Sequence, residues 1–143
     1  MSEDSSAEQK ELVRELYQTL YEKQSFDVVP EFYASGATRH GGLQGSIEGR
    51  EALQGYLQGA LGGFSDIEIT ELHCLVEDDI VAYDFEMAMT HSGEMLGIPA
   101  TGNRFEITNA ALFRINDGYV VDEWPRTDML GLMEGIGAVE LPF

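Results

Sequence analysis

The stretch Asn103–Gly137 decides how this chain folds: NRFEITNAALFRI (103–115), NDG (116–118), YVVDEWPRT (119–127) and DMLGLMEGIG (128–137). Two β-rich runs flank Asn116-Asp117-Gly118, and a glycine at 118 can take the left-handed backbone that closes a short hairpin. With those three residues as the loop, Ile115 faces Tyr119, Phe113 faces Val121, Ala111 faces Glu123 and Asn109 faces Pro125. Side chains alternate across a strand, so the odd-numbered residues share one face. Ala110, Leu112, Asp122 and Trp124 share the other. A two-residue loop would change the pairing and with it the faces.

Upstream of the hairpin the pattern is helical, then extended. Leu12, Val13, Leu16, Tyr17 and Leu20 recur at helical spacing, with Ser5 or Ser6 as cap. A short second helix follows Asp27, with Pro30 in its first turn, where the missing N–H costs little. Val28, Val29, Phe32 and Tyr33 form its inner side. Ala37–Ile47 reads as a loose segment containing Arg39-His40-Gly41-Gly42. A third helix begins near Gly49 with an apolar stripe from Ala52 to Phe64, and Gly62-Gly63 ends it. Ile67 and Ile69 alternate on one phase, while Leu72, Cys74 and Val76 alternate on the opposite one. The phase slip at Glu71 predicts a β-bulge. Glu77-Asp78-Asp79 is a turn, and Ile80–His91 is a long strand with Val81, Tyr83, Phe85, Met87, Met89 and His91 on one face. Ser92–Gly102 is a long loop. A final helix, capped by Thr127 or Asp128, is expected to bury Leu130, Met133 and Ile136.

Helices first and strands afterwards indicate an α+β fold. The expectation is a cone: a curved antiparallel sheet packed against about three N-terminal helices. It forms one domain over residues 7–138, with tails at 1–6 and 139–143. The chain has 143 residues, enough for one sizeable core.

Composition bounds the partners. Twenty-six acidic and eight basic side chains give a formal net charge of −18. That field repels nucleic-acid phosphates and anionic membranes and favours a neutral or apolar ligand. Acid-rich, lysine-poor surfaces suit high salt, which screens the repulsion, so a halophilic source is expected. The N-terminus is polar and acidic, not a secretory signal, and no run is apolar enough to cross a bilayer. With a single cysteine, Cys74, a reducing, cytoplasmic setting is expected. His40, His73 and His91 lie far apart, and no metal, nucleotide or nucleophile-elbow motif appears. No metal or cofactor is expected.

Thr90-His91-Ser92-Gly93-Glu94, Gly97-Ile98-Pro99-Ala100-Thr101-Gly102 and the hairpin ending at Trp124 resemble the SnoaL-like polyketide cyclase family, part of the NTF2-like group. The resemblance runs from about Leu12 to Gly137. It implies the cone, a ligand pocket between sheet and helices, and a homodimer. Ring-closing members use an Asp acid/base one residue beyond the position matched by Trp124, assisted by a His on the preceding strand. Those positions fall here on Pro125 and Ala111, and neither moves a proton.

Proton transfer would then fall to other residues. Glu123 shares the face of Pro125, beside Asn109 and Ala111. Desolvation in an apolar cone would raise its pKa towards that of a general base, and Asn109 could hold a carbonyl or enolate oxygen. The other reading of Glu123 is a solvated rim residue, or one paired with Arg104 or Arg126. His40 matches a pocket histidine of the family and would assist as base or anchor; otherwise it is a loop histidine bonded to backbone. His91 would line the pocket or donate a hydrogen bond that fixes the 92–102 loop. Tyr17, Tyr56, Phe85, Met87, Met89 and Phe113 complete a hydrophobic pocket for a small apolar organic molecule, or are simple core. Two functions stand: a binding protein, and an acid/base enzyme acting through Glu123 on a ketone- or ester-bearing substrate.

Overall fold

The computed structural model describes residues 3–41 and 45–143. Met1 and Ser2 of the expected tail, and Gly42 of the loose segment, lie outside the described residues. The helices are α1 (Glu3–Leu16), α2 (Val29–Phe32), α3 (Arg50–Leu61) and α4 (Met129–Gly135). The strands are β1 (Tyr33–Arg39), β2 (Ile47–Glu48), β3 (Phe64–Glu77), β4 (Ile80–His91), β5 (Arg104–Asn116) and β6 (Tyr119–Thr127). They form one curved sheet in the order β2-β1-β6-β5-β4-β3. The N-terminal helices cover its inner face, giving the α+β cone.

Helix α1 begins at Glu3, so Ser5 and Ser6 lie inside it rather than capping it. Its apolar stripe continues into a π-helical segment, Tyr17–Glu22, which buries Tyr17, Leu20 and Tyr21. Pro30 sits in the first turn of α2, and α3 starts after Gly49 and buries Leu53, Leu57 and Leu61. Strand β4 alternates without a break, burying Val81, Tyr83, Phe85, Met87, Met89 and His91. Each large apolar side chain so removed from water contributes about 1.5–3 kcal/mol. The bulge expected near Glu71 is present as a register shift between Glu71 and His73.

The sheet differs from the expected antiparallel one. The supposedly loose segment supplies two strands, and β1 runs parallel to β6, with Arg39 beside Glu123. A parallel pair needs a long connection, here the whole chain between β1 and β6. In the last helix Ile136 is buried and Met133 half-buried as expected, but Leu130 is exposed and Leu132 takes its place in the core. Asp128 caps α4 by accepting from the Gly131 amide at 2.9 Å.

The hairpin register is shifted from expectation. Asn116 pairs with Tyr119, so the loop is the two residues Asp117-Gly118, both with positive φ as a type I′ turn requires. The register slips between Arg114 and Ile115, which leaves Val121 as the extra residue of a bulge. That extra residue restores the faces the shorter loop would have scrambled. Beyond it Phe113 pairs with Glu123 and Ala111 with Pro125, all on the inner side.

Candidate functional site

Between sheet and helices lies a cavity of about 480 Å³. Apolar side chains make most of its wall: Leu57 and Leu61 from α3, Phe85, Met87 and Met89 from β4, Ile107 from β5, and Met129 and Leu132 from α4. Tyr17 and Tyr21 close one end, Tyr17 packing on Phe85 at 4.5 Å between ring centres and stacking on Tyr83 at 5.0 Å. Polar groups are few, and the buried ones are Arg39, Asn109 and Glu123.

Glu123 is 1% exposed, not at a solvated rim. Its carboxylate is held from two sides. Tyr33 donates its hydroxyl to Oε1 at 2.5 Å, and Arg39 donates through Nη1 to Oε2. The partner anticipated among Arg104 and Arg126 is therefore Arg39 instead. Arg104 reaches the Asp66 carbonyl, Thr90 and Glu68, and Arg126 reaches the Pro125 carbonyl. The Arg39–Glu123 pair follows from the parallel β1/β6 register, which seats the two residues side by side on the inner face. The Arg39 guanidinium also lies over the Tyr56 ring, 4.9 Å from its centre.

Burial dominates the electrostatics. It opposes the Arg39 charge, but the adjoining Glu123 carboxylate together with Tyr21, Tyr56 and Tyr33 outweighs it and leaves the guanidinium more firmly protonated than in water. Burial, reinforced by the Glu123 charge, holds the Tyr33 hydroxyl well above the ordinary phenol range. Burial also raises Tyr17, and it pushes Tyr21 up to about 12.

Two buried donors of cavity-lining residues have no hydrogen-bond partner among the described residues: Nε of Arg39 and Nδ2 of Asn109, both residues being 7% exposed. A buried donor left unpaired costs about 1–3 kcal/mol.

The structure gathers Glu123, Asn109, Tyr17, Tyr56, Phe85 and Met87 on one cavity. It separates the other three named residues from it. Phe113 is fully buried beneath the cavity as core. His40 follows Arg39 in β1's direction and so turns to the outer face. There its ring stacks on Trp124 at 5.0 Å and Nε2 meets Asp122 Oδ1 at 2.8 Å. A carboxylate, not backbone, is its side-chain partner. His91 is fully buried, and its Nδ1 accepts from the Thr101 amide at 3.3 Å and meets the Thr101 hydroxyl at 2.9 Å. Through Thr101 it contacts the 92–102 loop. Its Nε2 has no partner among the described residues.

Arg39, Tyr21 and Met95 are lining residues that sequence reasoning missed. A lone arginine among Gly, Ser and Thr carries no periodicity, so nothing local marks Arg39. Met89, expected together with Phe85 and Met87 from their shared alternation, lines the cavity as they do. Among the described residues, no group of three or more His, Cys, Asp or Glu side chains is arranged to hold a metal ion. No helix among them is long and apolar enough to cross a membrane.

A curved sheet wrapped on N-terminal helices around an inner cavity defines an NTF2-like cone. Within that group the chain belongs to the SnoaL-like polyketide cyclase family, whose sequence model matches residues 11–136. A proposed SnoaL-like polyketide cyclase from Jannaschia sp. CCS1 is 25% identical, with 94% of each chain covered and a TM-score of 0.84. IdmH, a proposed polyketide cyclase from Streptomyces antibioticus, is 25% identical over 90% of this chain and 98% of its own, with a TM-score of 0.76. AclR, a proposed hydroxylase from Streptomyces galilaeus, is 22% identical over 94% of this chain and 98% of its own, with a TM-score of 0.81. Comparison with curated proteins gives no match. Cyclase and hydroxylase assignments thus share one fold, and the reaction has to be argued from the site.

Proposed function

We propose that this chain binds a small, largely apolar organic molecule in the cavity of the cone. The observation that carries this reading is the cavity itself: about 480 Å³, walled by aromatic, Leu, Ile and Met side chains with three buried polar residues among them. Such a volume and lining are typical of small-molecule sites. The ordinary proton-transfer positions of the family, Ala111 and Pro125, are cross-strand partners on the cavity wall and carry no titratable group. The scaffold therefore keeps the pocket and lacks the family's acid/base pair. Mass spectrometry of material extracted from the purified protein tests the proposal. A stoichiometric apolar organic molecule is expected. An empty cavity, together with no binding of any apolar probe, would refute it.

One observation supports a second reading, acid/base turnover of a ketone- or ester-bearing substrate. Glu123 lines the cavity and adjoins two groups that carry protons, Tyr33 and Arg39. Asn109 on the same wall could polarise a carbonyl. Binding ranks first because both Glu123 oxygens already accept from donors of this chain. His40, paired with Asp122 on the outer face, has no part in this chemistry. The readings separate at Glu123→Gln, assayed well below its unfolding temperature. Retained affinity with abolished turnover supports the enzyme. No turnover with diverse ketones in either form supports binding alone. We also propose a homodimer in a cytoplasmic setting, the first part of which sedimentation at working concentrations tests.

A further inference from the structure

The loop from Ser92 to Gly102 is tied to the body at both ends and unbonded between them. Ser92 and Gly93 donate their amides to the Gly63 carbonyl, both at 3.0 Å, and Gly102 donates to the His91 carbonyl at 2.9 Å. From Glu94 to Ala100, among the described residues, the backbone bonds only within itself: the amides of Met95 and Ile98 each donate to the other's carbonyl, at 3.0 and 2.9 Å. Leu96 and Gly97 close that pair with φ of 52° and 80°, the two left-handed residues of a type I′ turn. The tip is therefore a rigid unit. Side-chain packing alone holds it down: Met95 and Ile98 are half-buried against the core, while Glu94, Leu96, Gly97, Pro99 and Ala100 are exposed.

On one side Met95 lines the cavity, and on the other it lines a groove along α3. Tyr56 and Ala60 of α3 do the same, so one layer of side chains parts cavity from groove. The groove exists because α3 presents small residues there. Ala52, Gly55, Gly59 and Ala60 fall at helical spacing on one face, and a Cβ built on Gly55 or Gly59 would meet nothing within 4 Å. Two mid-helix glycines weaken a helix; what they leave here is room beside the loop tip.

We propose that residues 94–100 are a flap over the cavity, with Met95 as its latch, and that the ligand enters and leaves between the flap and α3. The proposal rests on the reading that the cavity binds a small molecule. Opening lifts Met95 and Ile98 from their seats and breaks no backbone hydrogen bond between flap and body. The groove beside Gly55 and Gly59 receives the displaced Met95 and Leu96 side chains. It lies outside the cavity and is filled only while the flap is open, so it governs exchange rate and not affinity.

The test follows entry and exit of N-phenyl-1-naphthylamine, a neutral apolar fluorophore, by stopped flow on the full chain. Gly59→Leu fills the groove from outside the cavity, on a helix that gains from losing a glycine. It should slow entry and exit together severalfold and hold affinity within about twofold. Met95→Ala removes the latch and should speed both steps by about tenfold, the scale of half-burying a methionine side chain. A lost ligand contact would speed exit alone. In methionine-methyl spectra of the wild type without probe, microsecond-to-millisecond relaxation dispersion should appear at Met95 and vanish in Gly59→Leu, while Met89 on β4 shows none in either form. If Gly59→Leu does not fold, the Met95 dispersion and the Met95→Ala rates decide. Wild-type rates in Gly59→Leu with no faster entry in Met95→Ala, or a Gly59→Leu effect on affinity alone, would overturn the flap and leave the cavity reading intact. No binding of this or any other apolar probe would overturn both.

Discussion

Replacing Glu123 by Gln keeps the side chain's size and one carbonyl oxygen, removes the charge and turns the other accepting oxygen into an NH2 donor. The Arg39 guanidinium then stays buried opposite a neutral amide, and the Tyr33 hydroxyl loses a charged acceptor. Removing one partner of a buried ion pair costs about 3–5 kcal/mol, because the other charge is left uncompensated. Unfolding entropy of about 2 cal/mol/K per residue over 143 residues gives about 0.3 kcal/mol per degree. The expected fall in Tm is therefore about 10–17 °C. The control is Glu71→Gln. Glu71 pairs with Arg14 in a two-pronged contact of 2.8 and 3.0 Å, but at the surface. That pair should be worth about 1 kcal/mol or less, a shift of no more than about 3 °C, and salt should shrink it. Differential scanning calorimetry at low and high salt reads both. The double variant Arg39→Met with Glu123→Leu should recover most of the loss, since it leaves no unpaired charge. A Glu123→Gln shift as small and as salt-sensitive as that of Glu71→Gln would refute the claim that this pair is dry.

Asp128→Ala removes the cap of α4 and should cost about 0.5–2 kcal/mol; because α4 supplies Met129 and Leu132 to the cavity, probe affinity measured by calorimetry should fall with it. Gly63→Ala would place a Cβ 2.9 Å from the Glu94 carbonyl oxygen and 3.2 Å from Met95 Cβ. The 92–102 loop must then shift, at a cost of about 1–3 kcal/mol in chemical denaturation. Burial keeps Tyr17, Tyr21 and Tyr33 neutral to higher pH in the fold than in the unfolded chain, whose tyrosines ionise near pH ~10. The stability they hold is complete below that value and is lost as pH rises through the folded one, about 12 for Tyr21. Tm should therefore fall steeply over this interval, with tyrosinate absorbance rising in the same step as unfolding. Smooth titration of all six tyrosines at constant Tm would contradict the burial argument.

Much of this was legible residue by residue. The alternation of β4, the stripe of α3, the bulge near Glu71 and the Asp128 cap each depend on neighbours a few positions away, and the sequence shows such neighbours directly. The inward face of the hairpin was legible too, though for an incomplete reason. The loop is one residue shorter than expected, and the bulge at Val121 compensates, so Glu123 points inward beside Phe113 and not beside Ala111. The pocket residues on β4 followed from the same alternation.

By itself, then, the sequence determined an α+β cone, its inner face and an acidic protein whose matched family positions Ala111 and Pro125 cannot move a proton. Only the tertiary structure decided what Glu123 does. Its partners, Tyr33 and Arg39, lie 90 and 84 residues away, on a strand of small and polar residues that joins the sheet in parallel. A short strand of that composition has no periodic signature, and a parallel pairing leaves no turn in the sequence to mark it. A buried charge becomes intelligible only when the opposite charge that stabilises it is seen beside it, and here chain closure over that long separation puts it there.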